Sequence, residues 1–151
     1  MTDIVNTPMP PFNRHLGFEI VQWHQDSVVI IAGVKPEYRN HSNGPHGGLI
    51  STLLDSAGAL SGLYSHREDW LRRAFTLSLN ISFVGQSAGS RLKAVGELTA
   101  SGRKIFFSTS KVYDGEDTLV AIGQGVFRYR TGSELGGGPG VNSGELDSEL
   151  T

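Results

Sequence analysis

The sequence predicts an α+β domain, in which an antiparallel sheet of about six strands wraps around one long central helix. Residues 47–64 form a segment of helical length with a single charged side chain. Residues 75–83 alternate between apolar and polar side chains, which is the period of a strand with one buried face. Because a helix without a charged face needs cover on all sides, the sheet is expected to curl around it.

Composition and length bound the possible functions. A chain of 151 residues is long enough for one domain with one core. The net charge is −2 and no Lys/Arg cluster exceeds a pair, which argues against a nucleic-acid partner. The absence of cysteine excludes disulfides, thiol catalysis and cysteine-ligated metal. Without a signal-like N-terminus or an apolar stretch of membrane-spanning length, the expectation is a cytoplasmic protein that binds no membrane.

Three regions are expected along the chain. Residues 1–11 form a flexible lead-in, residues 12–130 the folded domain, and residues 131–151 a Gly-, Ser- and Glu-rich tail outside the core. Two β-rich segments before the helix are predicted to pair as a hairpin, residues 18–23 and 27–34. Four more segments are predicted to follow the helix as a meander, residues 75–83, 91–100, 104–113 and 118–130.

Asp55 is the only fully charged residue between Arg39 and Tyr64. At 100° per residue it lies in a stripe of small residues, opposite an apolar arc; the stripe holds Ser51, Thr52, Gly58, Ala59 and Gly62. A lone carboxylate in a buried helix is costly unless it is paired or used. Asp55 is therefore either a structural carboxylate satisfied by a nearby hydroxyl or amide, or a functional group beside a ligand or a second subunit.

The start of the helix suggests how such a carboxylate could be used. His46-Gly47-Gly48 precedes the helix, so unbonded N–H groups and the positive end of the helix dipole are expected there. A helix start of this kind can polarise a carbonyl oxygen. A carboxylate two turns along the same helix could act on that carbonyl as base or nucleophile. Taken alone, the two glycines fit a tight, closely packed turn equally well.

These residues resemble a known family. Asn40, then Gly44-Pro45-His46-Gly47-Gly48, then Leu53-Leu54-Asp55 is similar to the signature of PaaI-like hotdog-fold acyl-CoA thioesterases, with the Asp nine residues after the His. The resemblance extends over residues 12–130. It implies the hotdog fold, hydrolysis of an acyl-CoA thioester to free acid and CoA, and no cofactor, since CoA is part of the substrate. It also implies a homodimer or a homotetramer built as a dimer of dimers.

The resemblance also implies roles for site residues. The N–H of Gly47 would bind the thioester carbonyl oxygen. Asp55, from the other subunit, would attack the carbonyl or activate the attacking water. Asn40 would hold the thioester or the water, and Thr76 would orient the water. His46 would order the loop rather than act as base; for His46 and Thr76 a purely structural role remains open.

Substrate contacts are expected around these groups. Gly48, like Gly47, leaves room for a ligand. The CoA phosphates are expected to bind cationic side chains. The first candidates are Arg103 and Lys104, and the second are Arg91 and Arg128. The alternative is that all four are ordinary solvated charges. An acyl pocket could be lined by Phe12, Leu16, Trp23 and Trp70.

Two other classes of function compete with hydrolysis. One is a non-catalytic hotdog module that binds acyl-CoA or lipid, and the other is a purely structural oligomer. Asp55 argues against the binding module, because a binder has no need for a buried carboxylate beside a thioester.

Overall fold

The computed structural model describes residues 9–66 and 72–133. Most of the expected lead-in (1–11) and tail (131–151), together with Trp70, lies outside the described residues. Residues 9–11 are described, and a short helix that the sequence did not predict begins at Pro11. Proline suits that first helical position, because its missing N–H would have no partner there.

The elements follow the predicted order apart from this short helix. They are α1 (Pro11–His15), β1 (Glu19–His24), β2 (Ser27–Gly33), a 3-10 turn (Pro36–Tyr38), α2 (Gly47–Ser61), β3 (Ala74–Phe83), β4 (Arg91–Ser101), β5 (Ile105–Asp114) and β6 (Leu119–Tyr129). All six predicted strands are present. No helix in the described ranges is long and apolar enough to cross a membrane.

The strands form one antiparallel sheet in the order β1-β2-β4-β5-β6-β3. The β1–β2 hairpin is confirmed. The prediction of a four-stranded meander is wrong for β3, which pairs with β6 at the far edge of the sheet. The place beside β2 goes instead to β4, whose buried Leu92 and Ala94 sit in register with Ala32 and Ile30 of β2 and complete the core. Only β4, β5 and β6 form a meander.

A bulge in β3 changes which of its side chains face the helix. The register shifts between Thr76 and Ser78, so Leu77 has no direct partner. Thr76 pairs with Phe127 and Leu79 with Gly125, and these partners are buried on the helix side of β6. Directly paired residues share a face, so Thr76 faces the helix together with Leu79. Uninterrupted alternation would have put them on opposite faces.

The prediction of a buried face for β3 is also wrong at three of its five apolar positions in the single chain. Phe75, Leu77 and Phe83 are 41%, 49% and 56% exposed. The strand lies at the edge of the sheet, and within the described residues only β6 pairs with it.

Helix α2 lies on the inner face of the sheet at very short range. Leu53, Leu54 and Ala57 are fully buried beneath it. A Cβ atom on Gly96 of β4 would collide with the carbonyl of Ala57. The expectation of a helix buried on all sides is wrong for the stripe of small residues, because Ser51, Thr52, Asp55 and Ala59 are only half-buried in the single chain.

The contact at Gly96 gives a stability prediction. Gly96→Ala forces α2 away from β4, because the obstacle is helix backbone that cannot rotate aside, and should lower the free energy of unfolding by about 1–3 kcal/mol or more. The matched control is Gly33→Ala at the end of β2, where an added Cβ meets nothing within 4 Å. Chemical denaturation of both variants tests this, and equal stability would contradict the close helix–sheet contact.

Candidate active site

The loop before α2 is closed by Asn40; we call residues 40–46 the motif loop. Asn40 Oδ1 accepts hydrogen bonds from the N–H groups of Ser42 (2.9 Å) and Gly44 (3.0 Å). The N–H of Asn40 donates to the carbonyl of Gly44 at 2.8 Å. This side chain therefore replaces backbone partners in a tight turn, as asparagine commonly does. Its Oδ1 is occupied by the loop, which leaves the amide Nδ2 as the group with which Asn40 could meet a ligand.

The first N–H groups of α2 are used unequally. His46 is the N-cap, and its Nδ1 accepts from Gly48 N–H at 2.8 Å. The N–H groups of Leu49 and Ile50 donate to the carbonyl of His46. No described residue accepts a hydrogen bond from Gly47 N–H. The donor that remains open at the helix start is thus the one that the sequence assigned to the carbonyl oxygen.

A cavity of about 470 Å³ opens beside Gly47. It lies between the motif loop and the loop that joins β3 to β4, residues 84–90. Its lining is uncharged: Asn40, Ser42, Gly44, Pro45, Gly47, Ile50, Phe83, Gly85, Gln86, Ser87, Ala88 and Val120. Amides, hydroxyls and backbone groups supply its polarity, so it suits a neutral polar chain better than a phosphate.

Asp55 is held by Thr76, the residue that the resemblance placed near the attacking water. Thr76 Oγ1 donates to the Asp55 carboxylate at 2.6 Å, and the bulge in β3 is what turns Thr76 toward the helix. The bond fixes the orientation of the carboxylate. Both interpretations of Asp55, structural and functional, are compatible with such a bond.

The two central groups are far apart in one chain. Gly47 and Asp55 are eight residues apart in a continuous helix, so their backbones are separated by about 12 Å along its axis. The Gly47 N–H and the Asp55 carboxylate of one chain therefore cannot contact the same carbonyl group. This corrects the expectation that both could act from one helix.

The predicted cations lie at different ends of the sheet. Arg103 and Lys104 are exposed in the β4–β5 turn, at the end opposite the motif loop. Arg91 is exposed at the start of β4, at the same end as the motif loop. Arg128 is exposed on the outer face of β6. None of the four lines the cavity of its own chain.

The predicted acyl-pocket residues also divide. Phe12 on α1 is 59% exposed, and Leu16 packs against the main core. Asn13, between them, is buried and donates to Ser56 Oγ at 3.0 Å, which places α1 beside the residue that follows Asp55. Trp23 donates Nε1–H to the carbonyl of Leu60 at 2.9 Å, at the other end of α2 from the cavity.

Sequence reasoning missed two parts of this site. The loop 84–90 was expected only as the connection between two predicted strands, yet it forms one wall of the cavity. Arg39 was noted only as the last charge before the motif, yet its guanidinium donates to four backbone carbonyls. Only its position beside Asn40 could have drawn attention to it.

The fold and the helix start together define a class of protein. A six-stranded antiparallel sheet around one main helix is the hotdog fold. Residues 45–121 match the family model of the thioesterase superfamily, and the chain belongs to that superfamily.

Individual relatives agree with this assignment. Over 124 residues the chain is 27% identical to the medium/long-chain acyl-CoA thioesterase YigI of Escherichia coli K12, covering 74% of this chain and 80% of YigI. The conserved protein PA5202 of Pseudomonas aeruginosa superposes with a TM-score of 0.73 at 25% identity, over 81% of this chain and 95% of that one. The PaaI protein of the E. coli phenylacetic acid degradation operon shares the fold, with a TM-score of 0.72 at 18% identity over 82% and 87% of the two chains.

The role of Asn40 Oδ1 in holding the loop can be tested separately from any role of Nδ2. Asn40→Asp keeps an oxygen acceptor for the two loop N–H groups, so its melting temperature should stay near that of the original protein. Asn40→Ala loses both bonds and should be less stable by about 1–3 kcal/mol. Thermal denaturation checks this order. If Asn40→Asp were as unstable as Asn40→Ala, Oδ1 would not be what holds the loop.

Proposed function

We propose that this protein hydrolyses acyl-CoA thioesters to the free acid and CoA. The observation that carries the proposal is the open Gly47 N–H beside an uncharged cavity, on a helix whose only carboxylate is held in place by Thr76. Membership of the thioesterase superfamily supports the reaction class. The name of YigI supports an acyl-CoA substrate and favours a medium or long acyl chain.

The chemistry needs two groups. As the carbonyl is attacked, its oxygen becomes an oxyanion, and Gly47 N–H at the positive end of α2 donates to it. Asp55 removes a proton from the attacking water, or attacks the carbonyl itself to form an anhydride that water then opens. The C–S bond breaks in either route, and the CoA thiolate takes up a proton. No cofactor is required, because a thioester carbonyl is already electrophilic.

The 12 Å separation calls for a second subunit. Strand β3 touches both groups: Thr76 near its start bonds to Asp55, and Phe83 at its end packs against Gly47, where an added Cβ would lie 3.5 Å from the ring. If two β3 edges pair antiparallel about a twofold axis near their middle, Thr76 of one subunit opposes Phe83 of its partner. Asp55 of each subunit then comes to the Gly47 N–H of the other, and the dimer has two complete sites.

The exposed side chains of β3 support this pairing. Strand β3 pairs with β6 on one side, and no described strand pairs with its other side. Such an edge with exposed Phe75, Leu77 and Phe83 is a liability for a monomer and a suitable surface for a twofold partner. On the outer face of the sheet, Phe107 is 46% exposed, which leaves a second apolar surface for a dimer of dimers.

The same twofold axis accounts for the scattered cations. Antiparallel pairing reverses the partner sheet, so the Arg103–Lys104 turn of the partner lies at the level of the motif loop. Together with Arg91 of the subunit that supplies Gly47, this turn would offer positive charge to the CoA phosphates. Arg128 stays on the outer face of β6. The neutral cavity would take the uncharged arm that joins the phosphates to the thioester. The acyl group would extend along α2 toward Phe12 of α1 and Leu16, which directly follows α1.

Proline at position 47 tests the oxyanion donor. Gly47→Pro removes the N–H while keeping the helix, because proline suits the first helical position and His46 before it is already extended (ψ 139°). It should lower kcat by on the order of 10²-fold or more. Gly47→Ala is the matched control: it keeps the N–H, and its Cβ makes only ordinary contact with Phe83. Equal kcat values for the two variants would remove the N–H from the mechanism.

Mixing two inactive variants tests Asp55 and the shared site together. Asp55→Asn keeps the shape but removes the charge, and should lower kcat by on the order of 10²-fold or more with little change in stability. When Asp55→Asn and Gly47→Pro subunits are exchanged in equal amounts, each mixed dimer regains one complete site. Activity should recover to roughly a quarter of the original value, since half of the dimers are mixed and each has one of two sites.

Other outcomes lead to other conclusions. No recovery in a mixture that sedimentation shows to contain mixed dimers would contradict the shared site. Near-normal turnover by well-folded Asp55→Asn would remove Asp55 from the mechanism. Binding of acyl-CoA without release of thiol by the original protein would favour the non-catalytic binding module.

A further inference from the structure

Arg39 makes an unusual set of contacts for a charged residue at the start of a loop. Its Nη1 donates to the carbonyls of Asn43 (2.8 Å) and Ala88 (3.3 Å), and its Nη2 to those of Val34 (3.2 Å) and Gly89 (3.3 Å). No described carboxylate lies within ion-pair distance of it. The guanidinium donates its hydrogen bonds to backbone oxygens of three segments: the end of β2, the motif loop, and the loop 84–90.

The two loops that it joins are the two walls of the cavity. Asn40, Ser42 and Gly44 line one side, and Gln86, Ser87 and Ala88 line the other. Where residues are described, Arg39 makes the only hydrogen bonds between these loops. The remaining hydrogen bonds of the two loops are internal, such as Gly89 N–H to Ser87 Oγ at 3.1 Å, or run to other parts of the domain, such as His46 N–H to the carbonyl of Tyr38 and Gly85 N–H to that of Val120.

The two loops also touch directly at Gly44, where there is no room for a side chain. A Cβ on Gly44 would lie 2.9 Å from the carbonyl oxygen of Ser87. Asn43 next to it is held in the left-handed region (φ 60°), and its carbonyl is the one that Arg39 binds at the shortest distance. The walls are thus in contact at Gly44 and tied together by Arg39.

We propose that Arg39 is a positioning residue that sets the width of the cavity, and thereby the fit of the neutral arm of the thioester substrate. This inference rests on the proposed hydrolysis only for the identity of the substrate. The reacting groups lie on α2, whose position is fixed by the sheet, so loosening the loops should weaken substrate binding more than the chemical step. A lysine cannot replace this arginine, because an ammonium group lacks the planar fork that reaches four carbonyls in three segments.

Amide hydrogen exchange of the free protein tests the clamp without any substrate. In Arg39→Lys and Arg39→Gln, amides of residues 40–44 and 85–90 should exchange at least several-fold faster, while those of α2 keep their protection. The control is Lys93→Gln, which removes an exposed ion pair to Asp117 (2.8 Å) between two residues that do not line the cavity. Unchanged exchange in both loops, or equal loosening throughout the protein, would overturn the clamp.

Kinetic measurements test the expected effect of the clamp on substrate binding. For both Arg39 variants, KM for an acyl-CoA should rise roughly tenfold or more, with kcat within about threefold of the original. If Arg39→Lys restored KM while Arg39→Gln did not, and KM lost salt dependence in Arg39→Gln, Arg39 would contact phosphate directly and the inference would be wrong. A fall in kcat alone, in step with the folded fraction, would also overturn it. If the original protein released no thiol, the proposed function would fail, and the exchange experiment would still decide the clamp.

Discussion

The close approach of α2 to the sheet is the constraint on which the site depends. Glycine at position 96 lets the helix backbone touch β4, and Ser110 Oγ on β5 donates to the carbonyl of Leu54 at 3.0 Å. The apolar arc is pressed into the sheet, and Gly58 and Gly62 pack against Phe127 and Phe106. The half-buried part of the stripe of small residues is therefore Ser51, Thr52, Asp55 and Ala59. Asp55 therefore lies toward β3, and Gly47 lies at the end of the sheet where the cavity opens. The positions of both groups that we propose to act on the substrate follow from packing.

The same rigidity is the reason that the proposed chemistry needs a second subunit. A straight helix holds Gly47 N–H and the Asp55 carboxylate about 12 Å apart, and no side-chain rotation removes such a distance. Strand β3 lies beside both, with Thr76 at one group and Phe83 at the other. An edge strand that touches both halves of a site can complete it by pairing with its own copy. The exposed apolar residues of β3 and the separated reacting groups are thus explained by one arrangement.

Local patterns in the sequence predicted the elements and the chemistry-bearing residues, but not their long-range partners. The His-Gly-Gly start of α2 could be anticipated from spacing and resemblance. The resemblance also placed Thr76 near the water, although not as the direct hydrogen-bond donor to Asp55. The position of β3 could not be anticipated, because its residues pair with residues of β6 that lie 38 to 55 positions later in the chain. The bulge at Leu77 was hidden by perfect alternation, and it reverses the face on which Thr76 lies. The Arg39 side chain bonds only to backbone oxygens. Because every residue has one, the sequence does not show which residues these partners are.

The candidate site combines groups on a helix that the core holds with groups on two loops. Gly47 N–H belongs to a helix held by the core, and His46 caps the helix through Gly48 without using the Gly47 donor. That donor needs no rearrangement to meet a developing oxyanion, which is where a fixed dipole contributes most to rate. The cavity walls, in contrast, are two loops that one guanidinium joins to each other and that are otherwise held by internal turns and by hydrogen bonds to neighbouring segments. Because the helix and the loops are stabilised by different contacts, the structure allows the chemical step and the fit of the substrate to change independently, and substitutions in the loops could alter substrate preference while the reacting groups stay in place.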